Sequence, residues 1–180
     1  MHHGKFVMLY RAQDASGTSR LGYAESTDGI YFTRRPEPVL TPEADYEKDG
    51  GVEDPRLQKF GDTYYLTYTG HNKKDAGALP SRVTHWERKG VILPAYRGNW
   101  NKGWTKSGAI VPEKIDGKYW MYWLGTATDK TDQMGLSHST NLIHRTEATE
   151  TPVLPKRPGK FDSRWSSPAR RRFSPSKASC

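Results

Sequence analysis

A strand-forming segment occurs three times in this chain at a nearly constant interval. Gly4-Lys5-Phe6-Val7-Met8-Leu9-Tyr10 matches Gly61-Asp62-Thr63-Tyr64-Tyr65-Leu66-Thr67-Tyr68 and Gly117-Lys118-Tyr119-Trp120-Met121-Tyr122-Trp123, with leading glycines 57 and 56 residues apart. A second strand pattern follows: Leu21-Gly22-Tyr23-Ala24-Glu25-Ser26-Thr27-Asp28 pairs with Met134-Gly135-Leu136-Ser137-His138-Ser139-Thr140-Asn141. A third element closes each unit, as Val39-Leu40-Thr41-Pro42, Val91-Ile92-Leu93-Pro94 and Val153-Leu154-Pro155. Fixed-period repetition of several short strands is the signature of a β-propeller, one blade per unit. Aromatic and β-branched runs between Gly, Asp, Asn and Pro support strands throughout, and no stretch holds a helical period over three turns. The expected fold is all-β, of the propeller kind. At about 57 residues per unit, 180 residues hold about three blades, whereas a propeller closes with four or more.

The middle unit departs from its neighbours. Where the others carry the second strand pattern, it reads Asp75-Ala76-Gly77-Ala78-Leu79-Pro80-Ser81-Arg82-Val83-Thr84-His85-Trp86. Proline removes a ladder donor, so a strand there is expected to be weakened or lost.

Composition narrows the function classes. The single cysteine, Cys180, excludes an intramolecular disulfide framework and a Cys-rich metal centre. His2 and His3 lack ligand partners, and His71, His85, His138 and His144 sit in different units without ligand spacing, so no metal is expected. Gly50-Gly51 has no following helix or lysine and does not read as a phosphate-cradling loop. No run reaches the length of a membrane helix and no signal-peptide core is seen, so a cytoplasmic protein without a membrane partner is expected. The net charge of +8 raises nucleic acid as a partner. Half of it, however, comes from Arg170, Arg171, Arg172 and Lys177 in a tail that carries no acid. Nucleic-acid binding is therefore ranked last, with steep salt dependence lost on deleting residues 165–180 as its signature.

After each third element the chain enters a polar segment. These contain Gly51-Val52-Glu53-Asp54-Pro55-Arg56-Leu57, then Trp104-Thr105-Lys106-Ser107-Gly108-Ala109-Ile110, then Gly159-Lys160-Phe161-Asp162-Ser163-Arg164. If the units are blades, these segments begin the innermost strands and converge on the central axis. A carboxylate, a lysine and arginines meeting there would suit sugar chemistry, with an acid for the leaving oxygen and cations for an anionic nucleophile. Each also has a plainer reading. Glu53-Asp54-Pro55 is compatible with a turn of solvated acids, and Lys106 beside Trp104 with a snorkelling surface lysine.

Tyr10-Arg11-Ala12-Gln13, Gly50-Gly51-Val52-Glu53-Asp54-Pro55-Arg56-Leu57, Tyr64-Tyr65-Leu66-Thr67-Tyr68-Thr69 and Trp104-Thr105-Lys106-Ser107-Gly108-Ala109-Ile110 resemble glycoside hydrolase family 130. These are the β-mannoside phosphorylases and β-mannosidases, and the similarity runs from about Gly4 to Arg164. The resemblance implies a five-bladed β-propeller, here only about three blades, with an axial active site and inverting cleavage of β-mannosidic bonds. It implies Asp54 as proton donor, in the phosphorylases by way of a sugar hydroxyl. Arg11, Arg56, Lys106 and Arg164, with Asp162 in the last segment, are the implied substrate and phosphate binders. No cofactor is implied, only inorganic phosphate as co-substrate if the enzyme is a phosphorylase. The implied partner is a β-mannoside oligosaccharide, and the full-length form is a candidate homo-oligomer.

The departures carry expectations too. The family begins some tens of residues earlier, and after Arg164 it continues roughly Val-Val-Glu-Pro-Gly-Pro-Pro-Pro, where this chain reads Trp165-Ser166-Ser167-Pro168-Ala169-Arg170-Arg171-Arg172. One nucleotide string read one base apart encodes both. The expectation is a partial propeller domain over 1–164 and an out-of-frame, disordered basic tail over 165–180. A chain of three blades is expected to have exposed sheet edges and little activity. The alternative to an enzyme is a non-catalytic carbohydrate-binding propeller.

Overall fold

The computed structural model describes residues 3–73, 76–82, 86–94 and 100–166, with backbone placement alone for 76–82. Ten strands form two antiparallel-dominated sheets. They are β1 (Phe6–Gln13), β2 (Ser19–Ser26), β3 (Thr33–Arg34), β4 (Gly51–Phe60), β5 (Thr63–His71), β6 (Ala76–Arg82), β7 (Thr105–Ile110), β8 (Tyr119–Thr126), β9 (Asp132–Ser139) and β10 (Thr146–Glu147). The first sheet has the order β1-β2-β4-β5-β6 with β3 added on β2, and the second the order β10-β9-β8-β7. No helix long and apolar enough to cross a membrane occurs among the described residues.

The repeat maps directly onto these strands. The three aromatic segments are β1, β5 and β8, and the two Gly-containing segments that follow the first and third are β2 and β9. Each polar segment before an aromatic strand supplies an inner strand, β4 against β5 and β7 against β8. Blade one is then β1-β2-β3, blade two β4-β5-β6, and blade three β7-β8-β9-β10. A parallel bridge joins blade one to blade two, and another joins blade three to the segment that follows it. Ser19 at the start of β2 pairs with Gly51 at the start of β4, and Asp132 at the start of β9 pairs with Trp165 in the same sense. The second of these bridges brings Trp165 and Ser166 against Asp132, while residues 167–180 lie outside the described residues.

The proline-bearing segment of the middle unit corrects the sequence expectation. β6 pairs with β5 over seven positions, from Tyr65↔Arg82 to His71↔Ala76, with Pro80 opposite Thr67. It terminates its sheet among the described residues. An edge strand needs ladder donors on one side only, so it tolerates the missing N–H that a central strand would not.

Core residues pack between blades rather than within them. Leu21, Leu40, Val52, Leu66 and Tyr68 form one buried cluster, joining blade one to blade two. Ile92, Leu93, Ile110, Met121, Trp123 and Leu142 form the other, with Phe60 and Tyr65 of blade two packed against it. This follows from the period-2 alternation of each strand, which presents one apolar row to each facing sheet. The closing elements bridge to the second strands at equivalent places in the repeat, Leu40 to Leu21 and Leu154 to Met134, and Leu40, Ile92 and Leu93 join the buried clusters.

Candidate active site

The inner strands β4 and β7 share an irregularity that ordinary strands lack. The β4–β5 register slips between Glu53 and Arg56, and the β7–β8 register slips between Lys106 and Ala109. Superposed on the repeat, Glu53-Asp54-Pro55-Arg56 lies over Lys106-Ser107-Gly108-Ala109. The second residue of each bulge has a left-handed backbone, with φ of 50° at Asp54 and 54° at Ser107. A non-glycine residue in that region costs on the order of 1–3 kcal/mol and persists where the surroundings over-determine it. Bulges of this kind re-aim a side chain out of the pleat and concentrate beside active sites.

The two re-aimed side chains meet. Ser107 Oγ donates to Asp54 Oδ2 at 2.8 Å across the boundary between blades two and three. Among the described residues this is the hydrogen bond Asp54 makes, and Oδ1 carries none. Two threonines of β5 hold the β7 bulge in place. Ser107 N–H donates to Thr69 Oγ1 at 3.2 Å, and Thr67 Oγ1 donates to the Gly108 carbonyl at 2.5 Å. Both threonines are buried, as is Ser107.

Beside Asp54, the buried Glu53 carboxylate collects polar groups of blades one and two. Arg11 Nη2 approaches Glu53 Oε1 to 2.9 Å, Ser19 Oγ donates to the same oxygen at 3.2 Å, and His71 Nδ1 lies 3.5 Å away. Ser19 Oγ in turn accepts from Arg11 Nε and Gln13 Nε2. Glycine is required next door, because a Cβ on Gly51 would fall 2.1 Å from the Ser19 carbonyl oxygen at φ +97. Gly50-Gly51 thus serves a close blade-to-blade approach. The His71 ring lies 5.1 Å from that of Trp104, and the Lys106 ammonium stands 5.0 Å from the Trp104 ring centroid. Trp104 is exposed, so an aromatic face flanked by Lys106 and His71 opens beside the Glu53 carboxylate.

The residues named from sequence fall into two groups. Asp54, Arg11, Lys106 and Arg56 all stand on or against the blade-two and blade-three inner strands, and among the described residues Arg56 Nε is buried without a hydrogen-bond partner. Asp162 and Arg164 lie elsewhere, on the segment after blade three. Asp162 is engaged by Arg157 Nε at 2.7 Å, and the Arg164 carbonyl accepts from Asp132 N–H while its side chain is exposed. Ser107, Glu53 as an interblade anchor, and His71 join the site only through the tertiary structure. The signal for Ser107 was available, since it takes the repeat position of Asp54. Among the described residues no group of three His, Cys, Asp or Glu could hold a metal ion.

Repeated blades of three and four short strands, with matching bulges on the inner strands and a carboxylate at one of them, define a partial β-propeller. The chain belongs to glycoside hydrolase family 130, whose profile, described as beta-1,4-mannooligosaccharide phosphorylase, matches residues 2–168. Solved structures of this family are five-bladed propellers. The chain is 38% identical over 132 residues to the 1,2-beta-oligomannan phosphorylase of Thermoanaerobacter sp. (strain X514), covering 66% of this chain and 42% of that protein. A protein of Bacteroides thetaiotaomicron assigned as a glycosidase is similar with a TM-score of 0.76 and 36% identity, over 91% of this chain and 54% of that one. A family member from work on glycoside hydrolases that target beta-1,2 mannosidic linkages in Candida mannan gives 0.75 and 34%, over 91% and 52%. The chain therefore spans about half or less of the length of the proteins it matches.

Proposed function

We propose that this site cleaves β-mannosidic bonds with inversion, by phosphorolysis or by hydrolysis, with Asp54 as the proton donor. The observation that carries the reading is the Asp54 carboxyl, re-aimed by a strained bulge and held on one oxygen only, within the motif the family match spans. The protonated carboxyl supplies the proton that the departing glycosidic oxygen needs. An incoming phosphate or water attacks the anomeric carbon from the opposite side of the sugar ring, and that displacement inverts its configuration. Phosphate brings its own charge, so the phosphorolytic branch needs cations, whereas hydrolysis needs a base to activate water. Lys106 and Arg56, whose Nε is buried and unpartnered, suit the phosphate; Arg11 reaches the same strand end through Glu53. Asp162 and Arg164 complete the proposed binding set from the following segment.

Names of relatives favour the β-1,2 linkage and supply both outcomes, an oligomannan phosphorylase and mannan-directed hydrolases. The glycosyl-transferring and the hydrolytic activities are separated by product. β-1,2-Mannobiose is incubated with the protein with and without inorganic phosphate, and mannose 1-phosphate and free mannose are measured. Turnover that falls about 100- to 10,000-fold in Asp54→Asn supports the reading. Equal turnover by both proteins overturns the role of Asp54. Calorimetric sugar binding without turnover, unaffected by loss of Asp54, replaces the enzyme with a carbohydrate-binding propeller.

A further inference from the structure

We infer that Ser107 is a positioning residue for the proton-donating carboxyl, an inference that rests on the reading of Asp54 given above. Three observations converge on it. First, Ser107 occupies, in blade three, the bulge position that Asp54 occupies in blade two, with a matching φ of 54° against 50°. The two bulges therefore project a hydroxyl and a carboxylate toward one another across the blade boundary. Second, the hydroxyl is a donor to Asp54 Oδ2 at 2.8 Å, and it fixes one carboxyl oxygen while leaving the other open. Third, nothing in the backbone geometry calls for serine. A left-handed residue is most easily glycine, and the next position is already Gly108. A serine kept in a conformation that glycine adopts without strain retains its hydroxyl for a purpose other than the turn.

The rest of the local structure makes that hydroxyl rigid. Ser107 is buried, its N–H is tied to Thr69 Oγ1, and the following carbonyl is tied to Thr67 Oγ1. Both anchors are on β5, the strand that also pairs with the Asp54 bulge. One strand thereby registers both partners, β4 through its backbone ladder and the Ser107 bulge through the Thr67 and Thr69 hydroxyls, rather than two independent loops. Proton delivery depends on such fixed geometry, since displacement of a reacting group by about 1 Å can cost on the order of 100-fold in rate.

Ser107→Gly tests this, because it removes the hydroxyl and keeps the backbone conformation available. Side-chain χ1 of Asp54 is read from three-bond couplings in the labelled 180-residue protein, and β-1,2-mannobiose turnover is measured alongside. The expected result is one χ1 rotamer in the parent and rotamer averaging in Ser107→Gly, with a melting temperature equal to or above the parent. Where turnover is measured, kcat falls about 10- to 100-fold, the size of a lost hydrogen bond to a charged group, while KM stays within about twofold. An unchanged Asp54 rotamer overturns the inference, as does an unchanged kcat in an enzyme that Asp54→Asn inactivates. A lowered melting temperature with the rotamer retained also overturns it, by assigning Ser107 a structural role alone. Full activity of Asp54→Asn, by contrast, refutes the reading of Asp54 itself, and the rotamer result then still decides whether Ser107 positions that side chain.

Discussion

Among the described residues, Arg145 is 8% exposed and makes one hydrogen bond, from Nη1 to the Tyr119 carbonyl at 3.3 Å, while Nε and Nη2 are buried without partners there. Burial pulls its guanidinium down to about 10, because low-dielectric surroundings disfavour the charged form. A buried charge with orphaned donors is a net cost, and an apolar side chain of similar length removes that cost. Arg145→Met is expected to raise the unfolding free energy by about 1–3 kcal/mol in urea titrations. A loss of stability of that size would show that the guanidinium has a partner in solution. Ser107 and Asp54 stand at the opposite balance. There a strained backbone is maintained around a satisfied hydrogen bond, as expected where geometry serves chemistry.

Among the elements, the turn of 3-10 helix at Asp45–Glu47 carries a fully buried carboxylate, that of Glu47. Glu47 accepts from the N–H groups of Glu43 and Ala44, from Tyr68 Oη at 2.5 Å and from Arg88 Nε at 3.1 Å. This clamps the connection between blades one and two onto β5. Burial alone would push the Glu47 carboxyl up, but the hydrogen bonds from Glu43, Tyr68, Arg88 and Ala44 together hold it below the ordinary carboxylate range. Burial and the same carboxylate raise the Tyr68 phenol far above its ordinary value. For a carboxyl lowered on folding, the linked stability is present above the unfolded pKa and is lost as pH falls through the folded one. Melting temperature is therefore expected to drop as pH falls below about 4, and to drop less steeply in Glu47→Gln. At pH 7 that variant should be destabilised by about 2–4 kcal/mol, because the amide removes the counter-charge of Arg88 and turns one of the two accepting oxygens into a donor facing donors. Parallel pH profiles for the two proteins would remove Glu47 as the source. The elements also show where sequence reading succeeded. Aromatic strands repeat at 57 and 56 residues because each must fill the same interblade space, so β1, β5 and β8 were legible as a period. β6 was misjudged because Pro80 forbids a central strand, and position in a sheet is a tertiary property that local sequence does not carry.

At the scale of the molecule, adjacent blades are joined by few contacts of high consequence. Blade one meets blade two through the Ser19–Gly51 bridge, the Arg11–Glu53 ion pair and the cluster of Leu21, Leu40, Val52, Leu66 and Tyr68. Gly51→Ala would place a methyl 2.1 Å from the Ser19 carbonyl oxygen and force φ +97 on a side-chain residue. The expected outcome is a loss of about 3 kcal/mol or more, with β1 and β2 amides exchanging faster than those of β8 and β9. Uniform acceleration across all strands would show instead that the blades unfold as one unit. The Glu53 network is distributed over β1, β2, β4 and β5, so no local stretch of sequence displays it.

The repeat period, the strand content and the motif around Asp54 were determined by sequence alone. Each follows from side-chain alternation and from turn chemistry within a few residues. Tertiary structure decided which of the charged residues converge. Asp54 and Arg56 lie on β4, Lys106 lies on β7 beside the Ser107 that binds Asp54, and Arg11 reaches β4 through Glu53, whereas Asp162 pairs with Arg157 on the segment after blade three. It also decided that Ser107 faces Asp54. Residues 53 positions apart meet only because two inner strands carry the same bulge in register on either side of β5, and register between blades is a matter of packing rather than of local propensity.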